Sequence, residues 1–407
     1  MARGAFGDVI AVPPLIAALS GRIKRATIFM TFTSLLRGVR APRGEAGVSR
    51  RDAISTLGAL AVGSSLFGHR SLAVQPSEGA RVDLHHHFFP PSAKKRFGPF
   101  PPIQNYSPER SIEAMERADI GTAFLSLPVS LGDDETVLGE AVRFAREANE
   151  YAARAASEHK GRFGFFAFLP LPDVDTSLKE IEYAFDELGA DGVGLMTSYG
   201  NRWLGDAVFE PVFDELNRRR AIVYSHPTDG PCCHSLLPNT IPHTVEWNTD
   251  TSRAIWSLIN DGTDRPPLTT PETSKATRYD KIKFVWSHGG GTLLGLVGRF
   301  LGQGSTRNVD LSRPPTPDSK LYHLRRFYYD TALSANQVQM QALKALVGPS
   351  QIVFGTDFPF LPTLDTVEAL QRCGLTSEDL RHIDRENALA IFQNRSRVRF
   401  DRQVRSG

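Results

Sequence analysis

Five polar residues of this 407-residue chain stand at the ends of apolar runs, where buried strands should carry none. His85 and His87 end "RVDLHHH", His226 ends "AIVYSH", His288 ends "IKFVWSH" and Asp357 ends "QIVFGTD". The chain holds only eleven histidines, so three in a row at His85–His87 call for a reason. Imidazole nitrogens joined by a carboxylate suit zinc, with one position left open for water or substrate. On extended backbone, residues two apart point the same way, so His85 and His87 face one side and His86 the other. The residues therefore read as a metal set of His85, His87, His226 and Asp357. His288 is the fifth group, placed to move protons beside it.

The elements that must position this set come from periodicity. Strand candidates fall at 81–85, 121–127, 163–169, 192–196, 221–226, 282–288, 327–332 and 351–357, several of them near-continuous apolar runs. Helical patterns lie between them, among them "SPERSIEAMERAD", which opens on a serine cap, "SLKEIEYAFDEL" and "ANQVQMQALKAL". Eight strands alternating with helices predict an α/β fold, a (β/α)8 TIM barrel of about 310 residues against the usual ~250. The excess falls in 88–108 and 227–248. An open doubly wound sheet is the alternative. In a barrel the C-terminal strand ends converge on one face, where active sites sit, and the five residues then share one mouth.

Composition narrows the field. A net charge of +2, with no aromatic-basic stripe, gives no footprint for nucleic acid. No apolar run reaches the roughly 20 residues of a membrane span. Cys232, Cys233 and Cys373 are too few for a disulfide framework and read as structural thiols. His69, His86, His159, His234, His243, His323 and His382 read as structural. Residues 1–47 form a basic, acid-poor extension, and 48–80 hold Arg50-Arg51 before the Gly- and Ala-rich "DAISTLGALAVGSSLFG". That order marks a twin-arginine-like export signal and linker, with translation from Val48; an organelle transit peptide is the alternative. The expected location is exported or periplasmic if the segment is processed, and cytoplasmic otherwise. The barrel is assigned to 81–395 and a basic tail to 396–407.

D-x-H-x-H, the histidine of "VYSHPT", H-G-G-G and G-T-D-x-P together resemble the amidohydrolase superfamily, in its branch of metal-dependent decarboxylases of the aminocarboxymuconate-semialdehyde type. The likeness runs from about Arg81 to Phe392 and includes "RFGFFAFLPLPD", "DGVGLM" and "GPSQIVFGTDFPF". It implies His85, His87, His226 and Asp357 as ligands of Zn2+, with Mn2+ the alternative, and His288 as the catalytic histidine. It further implies Arg299 as a carboxylate-binding residue that reaches a neighbouring subunit's site, hence a homodimer. A second substrate arginine of the muconate enzymes is replaced here by Ser111, beside Arg110. "VDLHHHFFPP", "DGVGLMTSYGNRWLGD" and "HPTDGPCC" look more like members of the 6-methylsalicylate decarboxylase kind, and the loops "HFFPP" and "SYGNRW" would suit a flat aromatic ring.

The expected activity is non-oxidative decarboxylation of a small aromatic or muconate-type carboxylic acid, best a hydroxybenzoate such as 6-methylsalicylate. In salicylate chemistry Asp357 is the acid that protonates the ring; in muconate chemistry His288 is a base acting on water. Hydrolysis of a lactone or amide by a single zinc is the rival. Strand four ends "GVGLMTSYG" with no lysine to bridge two metals, which favours a single-metal decarboxylase.

Overall fold

"IVYSH" and "FGFFAF" are buried at every position, as strands covered on both faces must be. The computed structural model describes residues 80–392 except 131–137, 229, 235, 261–273, 303–310 and 313. The readings of residues 1–47, 48–79 and 396–407 lie outside the described residues.

Eight strands form one sheet in chain order. They are β1 Arg81–His87, β2 Ile120–Ser126, β3 Phe163–Phe168, β4 Gly192–Met196, β5 Ile222–His226, β6 Lys283–Trp286, β7 Tyr328–Asp330 and β8 Ile352–Val353. Every neighbouring pair is parallel. The chain beyond β8 returns to β1: Leu84 N–H donates to Phe354 O at 3.0 Å and His87 N–H to Phe358 O at 2.7 Å. These bonds close the sheet, and the architecture is the expected (β/α)8 barrel. Helices intervene, such as Pro108–Arg117, where the Ser107 side chain accepts from Arg110 N–H as its cap, and Val174–Asp186.

Among the described residues the buried apolar side chains form two clusters. The larger lies between strands and helices, with Phe165, Val223, Phe284 and Tyr329 among its members. The smaller gathers Val82, Leu84, Phe124, Phe166, Tyr224 and Val285, residues of alternating register, as inward-facing side chains are. Stacked rings of Phe124, Phe166 and Tyr224 lead up to His85, which meets Tyr224 edge-on at 5.4 Å. The β1–β2 register slips between Asp83 and His86. At that irregularity the inward parity passes from Val82 and Leu84 to His85 and His87.

Some strands are shorter than their apolar runs. β6 stops before His288, and β8 stops before Asp357. Both residues have left-handed backbone, φ 53° and 64°. Such conformations cost non-glycine residues about 1–3 kcal/mol each and gather at functional sites. After His288 the three glycines "GGG" continue with positive φ, and a Cβ on Gly291 would lie 2.0 Å from Asn248 O. Only glycine fits that approach. Among the described residues no helix is long and apolar enough to cross a membrane.

Candidate metal centre and active-site cleft

His85, His87, His226 and Asp357 each offer a ligand atom, and these four atoms lie within 4.8 Å of one another. His85 Nε2 is 3.0 Å from His87 Nε2 and 3.2 Å from Asp357 Oδ1, and His87 Nε2 is 3.0 Å from the same oxygen. Four ligands around a tetrahedral zinc sit roughly 3.3 Å apart, given bonds of about 2.0–2.1 Å. The outer nitrogens are tied back. His85 Nδ1 donates to Asp330 Oδ2 at 2.8 Å, and His226 Nδ1 donates to Pro227 O at 2.9 Å. His87 Nδ1 lies 3.3 Å from Ser126 O and 3.0 Å from Ser126 Oγ. A carbonyl at Nδ1 takes the proton there and leaves Nε2 a lone pair, the state a metal ligand needs.

That tautomer sets two lone pairs face to face, His87 Nε2 against Asp357 Oδ1. A cation between them would relieve the clash. The electrostatics agree. Burial alone would push His85 down, but Asp330 and Asp357 outweigh it and raise it to about 10. Burial pulls His87 down to about 4. Burial and the neighbouring His87, His85 and His288 hold His226 well below its ordinary range. Burial would raise Asp357, yet the charge and hydrogen bond of His85 keep it well below the usual carboxylate value. The set thus keeps one positive charge on His85 between two carboxylates, and a divalent ion would replace that proton. The residues fit a metal.

His288 adjoins the set, its ring 4.8 Å from that of His85. Its Nδ1 donates to Ala332 O at 3.0 Å, and burial, then His85, lowers its pKa. It is held neutral with Nε2 left for the cleft that it lines. Asp330 was not foreseen. This buried carboxylate at the end of β7 accepts from His85 Nδ1, from His288 N–H at 2.9 Å and from Ala332 N–H at 3.1 Å. It binds one metal-set histidine and the backbone of His288 to a single anchor. The expected run 327–332 carries past Asp330 to Ala332, so the rule that found the others, a polar residue ending a run, passes over it.

His86 points away, as expected, but into a buried network. Its Nδ1 is 3.0 Å from Asp83 Oδ2 and its Nε2 is 2.6 Å from Ser111 Oγ. Asp83 also accepts from Thr356 Oγ1 at 2.6 Å and His85 N–H at 3.0 Å. The knot fixes the backbone beside three of the four metal-set residues. Ser111 is fully buried, so the residue standing in place of the muconate enzymes' arginine faces the interior.

Above the set opens a cleft of about 700 Å³ lined by Phe100, Trp247, Phe360, His243, Gln339 and Leu333 with His226, His288 and Asp357. No Arg or Lys is among its described lining residues. The rings that line it differ from those expected. Phe88 is buried, Tyr199 packs on Phe209, and Trp203 Nε1 donates to Asp250. His243, read as structural, stands at the cleft. Arg299 is exposed on the helix Leu293–Leu301, and the cleft lining does not include it. Cys232 and Cys233 are joined in a disulfide rather than being thiols, while Cys373 is a buried free thiol.

A family profile described as Amidohydrolase matches residues 82–393. The chain is 32% identical over 336 residues to the 6-methylsalicylic acid decarboxylase of Penicillium expansum, across 77% of this chain and 96% of that one. It is 33% identical over 346 residues to the 6-methylsalicylic acid decarboxylase acuB of Aspergillus aculeatus, across 78% and 97%. Its fold is similar to that of a dihydroxybenzoic acid decarboxylase from a Polaromonas species, solved with manganese and the inhibitor 2-nitroresorcinol. That likeness has a TM-score of 0.62 and 20% identity, and covers 77% of this chain and 97% of the other. With its barrel, its strand-end histidines and a match over most of its length, the chain belongs to the amidohydrolase family.

Proposed function

We propose that this chain is a metal-dependent carboxy-lyase that removes CO2, without an oxidant, from a small hydroxybenzoic acid, 6-methylsalicylate foremost. The observation that carries the reading is the three-histidine, one-aspartate set beneath an aromatic cleft. The names of the two relatives support it. His85, His87, His226 and Asp357 would hold the ion: zinc by ligand type, or manganese, as in the Polaromonas protein. When bound, the ion supplies positive charge that orients the acid and stabilises the charge that develops as the C–C bond weakens.

The reaction exchanges a carboxylate on a ring carbon for a proton. In this proposal the Asp357 carboxylate accepts the phenolic proton and delivers it to the carbon that bears the carboxylate. That C–H bond forms, the C–C bond breaks, and CO2 leaves its electron pair to the ring. The resulting phenolate regains a proton from solvent through His288 Nε2, which its bond to Ala332 O holds ready to relay one. Phe100, Trp247 and Phe360 would cover the ring and limit water at the reacting carbon. Arg299, exposed on its helix, would grip the carboxylate in a neighbouring copy's cleft, which makes the working unit a homodimer. Export through the Arg50-Arg51 segment is proposed from sequence; N-terminal sequencing of the mature protein tests it, and a chain that retains Met1 contradicts it.

Metal analysis joined to a substrate panel tests the activity. The proposal expects one divalent ion per chain and CO2 from ortho-hydroxybenzoates. Acid release from lactones or anilides, with no CO2 from any hydroxybenzoate, would assign the site to hydrolysis.

A further inference from the structure

Beside the cleft lies a second chamber of about 290 Å³, whose walls include Phe89, Ile103, Val129, Met196, Trp247 and Phe360. Among the described lining residues none is charged, and hydroxyl groups come only from Ser130 and Thr228. Trp247 and Phe360 line both spaces, so these two rings form the partition. Each also stands against a metal-set ring: Phe360 edge-on to His87 at 5.5 Å, and Trp247 edge-on to His226 at 6.0 Å.

The chamber runs from the surface, where its walls Phe97 and Ser130 are exposed, in to the level of the metal set. Pro227 and Thr228 directly follow His226, Phe89 comes two residues after His87, and Met196 is in register with His226 across the β4–β5 pair. Trp247 and Phe360 stand beside the metal set, so a hydroxybenzoate with its carboxylate and hydroxyl at that set can turn the flanking ring position that lacks the hydroxyl toward this partition. A methyl group there needs little of the space, since even a water molecule takes about 30 Å³ in the liquid. The chamber is several times larger and apolar.

Building on the decarboxylase reading, we propose that the chamber is a subsite for an alkyl chain beside the reacting carboxylate, which extends the substrate class from 6-methylsalicylate to 6-alkylsalicylates with longer chains. The chain passes between Trp247 and Phe360 and lies against Ile103, Val129 and Met196. Each buried methylene then tightens binding roughly fourfold until the chamber is full.

Binding is tested apart from turnover with 3-alkylphenols, the products that 6-alkylsalicylates would leave. Calorimetry on the metal-loaded protein compares 3-methyl-, 3-ethyl- and 3-propylphenol with the 4-alkyl isomers of equal apolar area. The expected result is a gain of roughly fourfold per methylene in the 3-series, with little gain in the 4-series. Val129→Phe and Ile103→Phe, which fill the chamber from separate segments, should abolish the chain-length ratio measured within each variant. Equal gains in both series, or a ratio unchanged in both filled variants, overturns the subsite. CO2 release from 6-methylsalicylate is measured alongside. Release with no chain-length effect removes the subsite and keeps the decarboxylase. A chain-length effect without release keeps the subsite and removes the decarboxylase.

Discussion

Nδ1 of His85 lies 2.8 Å from Oδ2 of Asp330, and neither residue has exposed surface. The bond fixes which nitrogen of His85 carries a proton and so which one is free for a metal. Asp330 Oδ1 meanwhile holds the backbone N–H of His288. One carboxylate thereby positions both a residue of the proposed metal set and His288, the proposed proton carrier.

Asp330→Asn keeps the shape but can turn an N–H2 toward His85 Nδ1. The imidazole must then carry its proton on Nε2, where the ion belongs. Metal affinity should fall about 10- to 100-fold, read by competition with a chelating dye, with the melting curve still cooperative. Unchanged affinity would make Asp330 a structural residue only.

Metal uptake should depend on pH with a definite sign. His87 and His226 are already neutral near pH 7, because burial lowers both. His85, raised by Asp330 and Asp357 against burial, keeps its proton until well into the alkaline range. An ion must expel that one proton, so competition is strongest at low pH and fades as pH climbs through the raised value. Between about pH 6 and 8 the apparent affinity should rise about tenfold per unit. A flat profile would show that no proton is displaced.

His288→Asn removes the proposed proton carrier and leaves the four residues of the metal set in place. Turnover should drop about 100-fold or more, while metal content measured by emission spectrometry stays at one per chain. Loss of the ion would instead place His288 among its ligands.

The fold was legible because parallel strands and amphipathic helices differ in period, and each strand candidate overlaps a strand. The cluster of His85, His87, His226 and Asp357 was legible because polar residues ending apolar runs are conspicuous. The extent of β6 and β8 was not, since the left-handed turns at His288 and Asp357 interrupt pairing without changing the apolar pattern. Asp330 escaped because "FYYDTA" already carries two tyrosines and a threonine, among which an aspartate does not stand out. The role of His86 depends on Ser111, 25 residues away on a helix, and only the fold brings the two together. Phe100 and Trp247 lie in the long segments 88–108 and 227–248, whose course no periodicity dictates.

The proposed homodimer can be tested by mixing. Arg299→Ala and Asp357→Ala should each be nearly inactive. If Arg299 serves the neighbouring site, a heterodimer holds one intact cleft. Random exchange makes half the dimers hybrid, so about a quarter of wild-type activity should return, a bidentate carboxylate grip being restored in trans. Demonstrated exchange with no recovery would confine each site to a single chain.

The central claim is decarboxylation at the His85, His87, His226 and Asp357 centre. Purified metal-loaded protein should convert 6-methylsalicylate to equal amounts of CO2 and 3-methylphenol, quantified together by headspace analysis and chromatography. Asp357→Asn and the metal-stripped protein should form neither. A folded, fully loaded protein that yields no CO2, or equal CO2 yields from wild type and Asp357→Asn, would contradict the account.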